Sequence, residues 1–255
     1  YVLNPFTILE ITGNLHFEGI MLFFLVLSLY AYFKKKALLG SIFFSLAVSI
    51  KLFPLLLFPV LLKYLGFRQW LLQGLIIAAL QIISFLPFAS PTLIQNYAET
   101  TGLWFQKFEF NASIYYLLRE IGYVFRGYNE IAIIGKINIG LFLLFVAYMS
   151  LFRKNNTQPK VLQAMLPVLS FFFFTSTTIH PWYLATPLLL SAFTGHRYVL
   201  LWTFTVFLSY AAYSQTTFQE SYVLLALEYL PVYTLFILEI ARNKKPAELN
   251  KFQQV

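Results

Sequence analysis

The sequence predicts an all-α, polytopic membrane helix bundle, and three observations carry that prediction. Hydrophobic residues fill 59% of the 255 positions and charged residues only 11%, where a water-soluble domain has roughly half and roughly a quarter. Aromatic side chains reach 20%, with 29 Phe and 17 Tyr, more apolar surface than one core hides from water. The 18 basic residues stand in short clusters between apolar runs, as they do in loops kept on the positive side of a bilayer. The expectation is one transmembrane domain over residues 1–255, with about nine hydrophobic segments and an amphipathic interfacial helix in an outer loop.

The first span is Phe17–Phe33, interrupted only by Glu18 and Ser28 and stopped by Lys34-Lys35-Lys36. The stretch Ala37–Leu65 is too long for one crossing, short for two, and carries Lys51 and Pro54 near its middle. Charge decides between the readings. As a hairpin with Lys51 at its tip, it leaves 13 basic residues on one side against four opposite, whereas a single kinked span splits them seven against ten. The hairpin is therefore expected, with the N-terminus outside and the C-terminus cytoplasmic. Each arm of about 14 residues reaches ~21 Å, short of the ~30 Å hydrocarbon core, so the tip stops inside the membrane. Irregular backbone at that depth needs protein or a water-filled cavity around it.

Leu71–Phe88, Ile131–Phe152, Val161–Thr177, Tyr198–Tyr213 and Tyr222–Ala241 are each near the length of a crossing, and Leu184–Phe193 becomes one with its flanks. Four pieces face outward: Tyr1–His16, Ser90–Glu130, Thr178–Tyr183 and Ser214–Ser221. Within the second, Ile114, Leu117, Leu118, Ile121 and Phe125 recur at helical spacing, with Arg119 and Arg126 off the stripe. That pattern reads as a helix lying in the interface. Trp104, Phe105, Phe108 and Phe110 suit an aromatic belt just before it. The tail Arg242–Val255 reads as polar and loose. The chain opens on Tyr rather than Met, and the expectation is the C-terminal part of a longer protein.

With no Cys, there can be neither disulfide nor cysteine nucleophile; with no Asp, all ten acids are Glu. The three histidines are far apart in sequence, so no metal site and no cofactor is expected, a loosely bound divalent cation staying open. The net charge of +8 is read as membrane topology and not as nucleic-acid binding. No Gly-rich phosphate loop serves a soluble nucleotide. Acids and histidines gather on the outward pieces, so substrates are expected to arrive there by lipid.

Gly13-Asn14-Leu15-His16-Phe17-Glu18-Gly19 opens the first span. A carboxylate near the membrane edge is a candidate general base for a sugar hydroxyl, or a helix-start acid held by exposed amides with His16 as an anchor. Lys51 at the broken hairpin suits a lipid phosphate, or else snorkels or pairs with a buried Glu. In Ile179-His180-Pro181-Trp182-Tyr183 the proline breaks the helix; His180 and Tyr183 offer contacts to a sugar, and Trp182 reads as belt. Asn111-Ala112-Ser113 matches a glycosylation sequon facing outward, but capping of the following helix is the preferred reading. Glu228, beside Pro231, is expected to pair within the bundle.

These motifs, namely Asn4-Pro5, Glu10, the Gly13–Gly19 run, Ser49-Ile50-Lys51-Leu52-Phe53-Pro54 through Pro59, and His180-Pro181-Trp182-Tyr183, resemble the multispan mannosyltransferases of the GT-C glycosyltransferase superfamily. The resemblance implies a hexosyltransferase that moves mannose, or a similar hexose, from a polyprenyl-phosphate donor to a lipid or glycan acceptor on the outer or lumenal face. It implies Glu18 or Glu10 as the catalytic carboxylate that assists the acceptor hydroxyl as base, with His16, Lys51, Asn111, His180 and Tyr183 around donor and acceptor. That superfamily commonly places an Asp in its first outward loop, and none exists here. The membrane is read as a bacterial plasma membrane, or alternatively the endoplasmic reticulum. Two other functions stay open: a transporter or lipid-carrier flippase, in which Lys51 and Glu228 would form a coupling pair, and a non-catalytic membrane subunit.

Overall fold

A computed structural model of the chain describes residues 1–214 and 218–243, the side chains of 104–106 and 243 excepted. Trp104, Phe105 and most of the expected loose tail thus lie outside the described residues. Among the described residues the backbone is helical, with one short parallel bridge between Phe110 and Thr178.

Chain order begins with a π-helical turn, Thr7–Gly13, which meets α1 (Glu18–Phe33) at an angle of 106°. The axes of α1 and α2 (Ala37–Ile50) come close because Gly40 carries no side chain. A Cβ there would stand 2.6 Å from the buried Tyr32 ring. Two hydrogen bonds seal the contact, Ser28 Oγ to the Gly40 carbonyl at 2.8 Å and Tyr32 OH with Ser41 Oγ at 3.0 Å.

The expected hairpin is present in outline. Helix α2 ends at Lys51, whose backbone is extended. Three residues on, Pro54 has no N–H and its ring would strike the carbonyl four residues back. The return arm is not a regular α-helix: 3-10 turns Phe53–Leu56 and Phe58–Leu61, each with Pro in its first turn, lead into α3 (Leu62–Leu65). A 3-10 turn rises about 2 Å per residue against 1.5 Å, so few residues regain the starting level. Tyr64 does so, its ring centroid 5.3 Å from Phe33 at the far end of α1.

Gly66, at φ +79°, turns the chain into α4 (Phe67–Phe85). Ser41 pairs with Gln73 at 2.7 Å and Ser49 with Gln81 at 3.1 Å, an equal offset that makes α2 and α4 parallel. Elsewhere α4 presents apolar side chains all round, with only Gln73 and Ile77 buried.

The long outward loop holds two helices. Helix α5 (Pro91–Gln106) was not foreseen, although Ser90 caps it by accepting from Leu93 N at 3.1 Å and Pro91 sits at its start. Helix α6 (Ile114–Arg126) is the expected amphipathic one, with Leu117, Ile121 and Phe125 exposed. Phe110 is fully buried and packs on His180 and Tyr213, so it is not a belt residue.

Then follow α7 (Ile131–Leu151), α8 (Gln158–Thr175), α9 (Ala185–Thr194), α10 (Tyr198–Thr205), which runs on into a 3-10 turn over Val206–Tyr213, and α11 (Tyr222–Asn243). The core lies between α1, α2, α8, α9 and α10, around Met21, Phe44, Leu169 and Trp202. By length and composition three helical stretches can cross a membrane: Phe67–Phe88, Ile131–Leu151 and Tyr222–Arg242. The bent pair Thr7–Gly13 and Glu18–Phe33 makes a fourth if it is one span. The remaining apolar helices are shorter; α9 has ten residues, about 15 Å, and is largely buried.

Two ends can be told apart by contacts. Phe33, Tyr64 and Gln158 meet at one, where Lys63 and Lys154 line a common recess. Glu18, Lys51 and Tyr183 meet at the other.

Candidate active site

The acidic half of the site begins at Asn4, whose Oδ1 accepts from Phe6 N at 2.9 Å just before the π-turn. That turn buries Glu10 completely. Tyr210 OH donates to its two carboxylate oxygens at 2.9 and 3.0 Å, Asn14 Nδ2 donates at 3.3 Å, and His16 Nε2 stands 3.5 Å from Oε2. The turn folds back onto α1 because residue 19 is Gly: a Cβ there would meet Ile11 Cγ2 at 2.5 Å. Between them Leu15 adopts φ +55°, a left-handed conformation that costs a non-glycine residue about 1–2 kcal/mol. Strain of this kind collects at functional sites.

Next to it, Glu18 opens α1 with 1% exposure and forms an ion pair with Lys51 Nζ. Its Oε2 has no hydrogen-bond partner among the described residues. The Lys51 side chain keeps 26% exposure, and its ammonium lies 5.7 Å over the Tyr183 ring. It faces a cleft of about 400 Å³ walled by Phe53, Tyr97, Phe172 and Tyr183, with Thr100 and Thr177 as polar points. Lys51 is the sole charge in that wall among the described residues.

A stack of three rings joins the halves. Trp182 lies between His16 and His180, with ring centroids at 3.9 and 4.4 Å and interplanar angles of 23° and 4°. His180 follows the extended segment that bridges Phe110, where Ile179 N donates to Phe110 O at 2.8 Å. Burial, then the Lys51 ammonium and the neighbouring His16 ring, hold the His180 pKa down at about 4. At neutral pH its ring is uncharged and offers one donor and one acceptor.

Behind the bridge sits a second acid cluster. Asn111 is fully buried at φ +49°; its Nδ2 donates to Glu228 Oε1 at 3.1 Å and its backbone N–H to Glu220 Oε1 at 2.6 Å. Trp202 Nε1 donates to the same Glu228 oxygen at 2.9 Å. Glu220 also takes the Tyr116 hydroxyl, and burial, the largest influence, raises its pKa above the usual carboxylate range.

Residues 14–242 match the family model described as ALG3 protein. The chain belongs to the ALG3 protein family. This ALG3-family chain is accordingly a multi-pass membrane glycosyltransferase of the mannosyltransferase kind. No curated protein and no solved structure matches it significantly.

The ALG3-family fold brings Glu10, His16, Glu18, Lys51, His180 and Tyr183 to one place, from three separate stretches of chain. Asn111 is not among them; it points away, into the Glu228 cluster. Neither Asn111 nor Ser113 caps α6: Ser113 Oγ donates to Phe174 O at 3.0 Å and pairs with Tyr233 OH at 2.8 Å. The sequon is closed, since the Asn111 amide is buried and engaged. Trp182 is a spacer between two histidines and not a belt residue.

Lys51 takes Glu18 as partner, while Glu228 pairs within the bundle as expected, so the Lys51–Glu228 pair of the transporter reading does not form. Tyr210 was missed. The only sequence signal for it is a tyrosine in an apolar segment, and its partner Glu10 lies 200 positions away. Among the described residues no group of three His or acids could hold a metal ion.

Proposed function

We propose that this ALG3-family chain moves a mannosyl residue from dolichyl-phosphate mannose to a lipid-linked oligosaccharide, at the Glu10–Lys51–His180 end of the bundle. That end faces the lumen of the endoplasmic reticulum, the membrane the family suggests over a bacterial one. The observation that carries the reading is the single ammonium at the mouth of an apolar cleft, flanked by buried carboxylates and a ring stack. A polyprenyl chain needs the apolar walls and its phosphodiester needs the cation.

In the proposed step an acceptor hydroxyl oxygen attacks the anomeric carbon, a new C–O bond forms, and the bond from that carbon to the phosphate oxygen breaks. The electron pair leaves with the phosphate beside Lys51. The hydroxyl proton goes to His16: Nε2 is turned to Glu10, which leaves Nδ1 as the acceptor. Glu18, buried and paired, keeps the Lys51 ammonium at the cleft. His180 and Tyr183 contact the sugar.

The test uses full-length protein, purified dolichyl-phosphate mannose and a lipid-linked oligosaccharide, with the released glycan weighed by mass spectrometry. One added hexose is expected from wild type and none from Lys51→Met/Glu18→Gln, which removes both charges together. Wild-type turnover by that double variant overturns the assignment of Lys51, and no transfer by wild type overturns the reading. A vesicle flux assay then separates a carrier from a subunit.

A further inference from the structure

Glu228 is an acid inside a membrane helix that the proposed transfer does not use, and Asn111 is the one expected substrate residue that turned away from the site. Their meeting is informative. The Asn111 side chain bonds Glu228, its N–H bonds Glu220, and its carbonyl accepts from Tyr229 OH at 2.6 Å. Each anchor therefore comes from the last helix or the loop before it. One residue earlier, Phe110 N donates to Thr177 O at 3.1 Å and Phe110 O accepts from Ile179 N, while Thr178 Oγ1 donates to Phe108 O at 3.0 Å. The Phe110 ring then lies 5.0 Å from the His180 ring.

The recess beside Asn111 and Glu228 measures about 10 Å³, room for one water at most, so this cluster holds no ligand. It holds backbone. Asn111, a residue type that tolerates the left-handed region, sits at φ +49°, and its three hydrogen bonds hold the backbone next to Phe110 in place. Glu228 Oε1 accepts two donors, Asn111 Nδ2 and Trp202 Nε1, and so ties the Asn111 segment to α10 as well as α11.

We propose that Glu228 is a positioning residue for the reaction centre, acting through Asn111 and the Phe110–Thr178 bridge to set the place of His180. The inference rests on the transfer site assigned above. It predicts that Glu228→Leu, which keeps a similar bulk but removes the oxygen that both donors share, lowers kcat roughly 10- to 100-fold, the loss that a small misplacement of a reacting group produces. The decisive measurement is a double-mutant cycle in the full-length protein with His180→Ala.

If Glu228 works through His180, Glu228→Leu costs little more once His180 is gone. Losses that multiply overturn the proposal, as does Glu228→Leu at wild-type rate. Should Glu228→Leu fail to fold, Asn111→Gly serves in the same cycle, because glycine accepts the positive φ while the amide is lost. Wild-type transfer by His180→Ala alone would instead sink the site assignment, so the two failures are distinguishable.

Discussion

At the scale of residues, the pair Glu18–Lys51 shows how burial changes what a charge can do. Without Lys51, Glu18 is an uncompensated ion in a dry place, and removing one partner of a buried pair typically costs about 3–5 kcal/mol. Lys51→Met should therefore lower the melting temperature in detergent sharply, and adding Glu18→Gln should restore most of it; a melting temperature unchanged by Lys51→Met would show that the pair contributes nothing. His180 gives a pH test. Its pKa is about 4 in the fold against 6.5 ordinarily, so between those values the unfolded chain binds the proton more readily. Stability is then untouched above pH 6.5 and falls as pH drops toward 4. Thermal unfolding followed from pH 7 to 5 should show that slope in wild type and a shallower one in His180→Gln. The sequence displayed each of these residue types in a telling position. It could not display their pairing, because Lys51 and Glu18 are 33 positions apart and the Trp182 stack joins residues from opposite halves of the chain.

Among the helices, glycine decides how closely two axes approach. Gly40→Ala would drive a methyl into a Tyr32 ring that is buried and hydrogen-bonded, and overpacking of this kind costs about 1–3 kcal/mol. Reduced thermal stability is expected, with partial recovery when Tyr32→Leu is added; full stability of Gly40→Ala alone would refute the contact. The broken hairpin was legible in advance because Lys51 and Pro54 interrupt an apolar run that no single crossing explains. The form of its return arm was not, since whether prolines spaced five apart start 3-10 turns or kink a helix depends on what packs around them. Helix α5 escaped for a different reason: its side chains are exposed nearly throughout, so no stripe marks it, and the Ser90-Pro91 start signal stood alone. The capping expectation at Asn111 and Ser113 failed because distant partners, Glu228 and Tyr233, compete for the same polar atoms.

For the whole molecule, the separation of a lysine-lined end from an acid- and histidine-rich end is the feature that charge counting anticipated. The absence of cysteine from these 255 residues makes its orientation simple to test, since each introduced thiol is the sole one within them. Gly102→Cys, on α5, should react with an impermeant maleimide from the lumenal side, and Lys154→Cys only after the membrane is opened to the cytosol. The reverse pattern would remove the proposed donor from the reach of Lys51. Which helices span remained beyond the sequence: hydropathy marks α9 as strongly as its neighbours, yet ten helical residues cannot reach across.

The lone ammonium in the cleft has a further consequence on this reading. A sugar phosphodiester carries one negative charge, but the monoester left after transfer carries about 1.5 to 2 near neutral pH. Lys51 would thus grip the spent lipid harder than the fresh one. Glu18 stands ready to reclaim the same ammonium, which turns a fixed buried acid into the competitor that lets the used carrier depart.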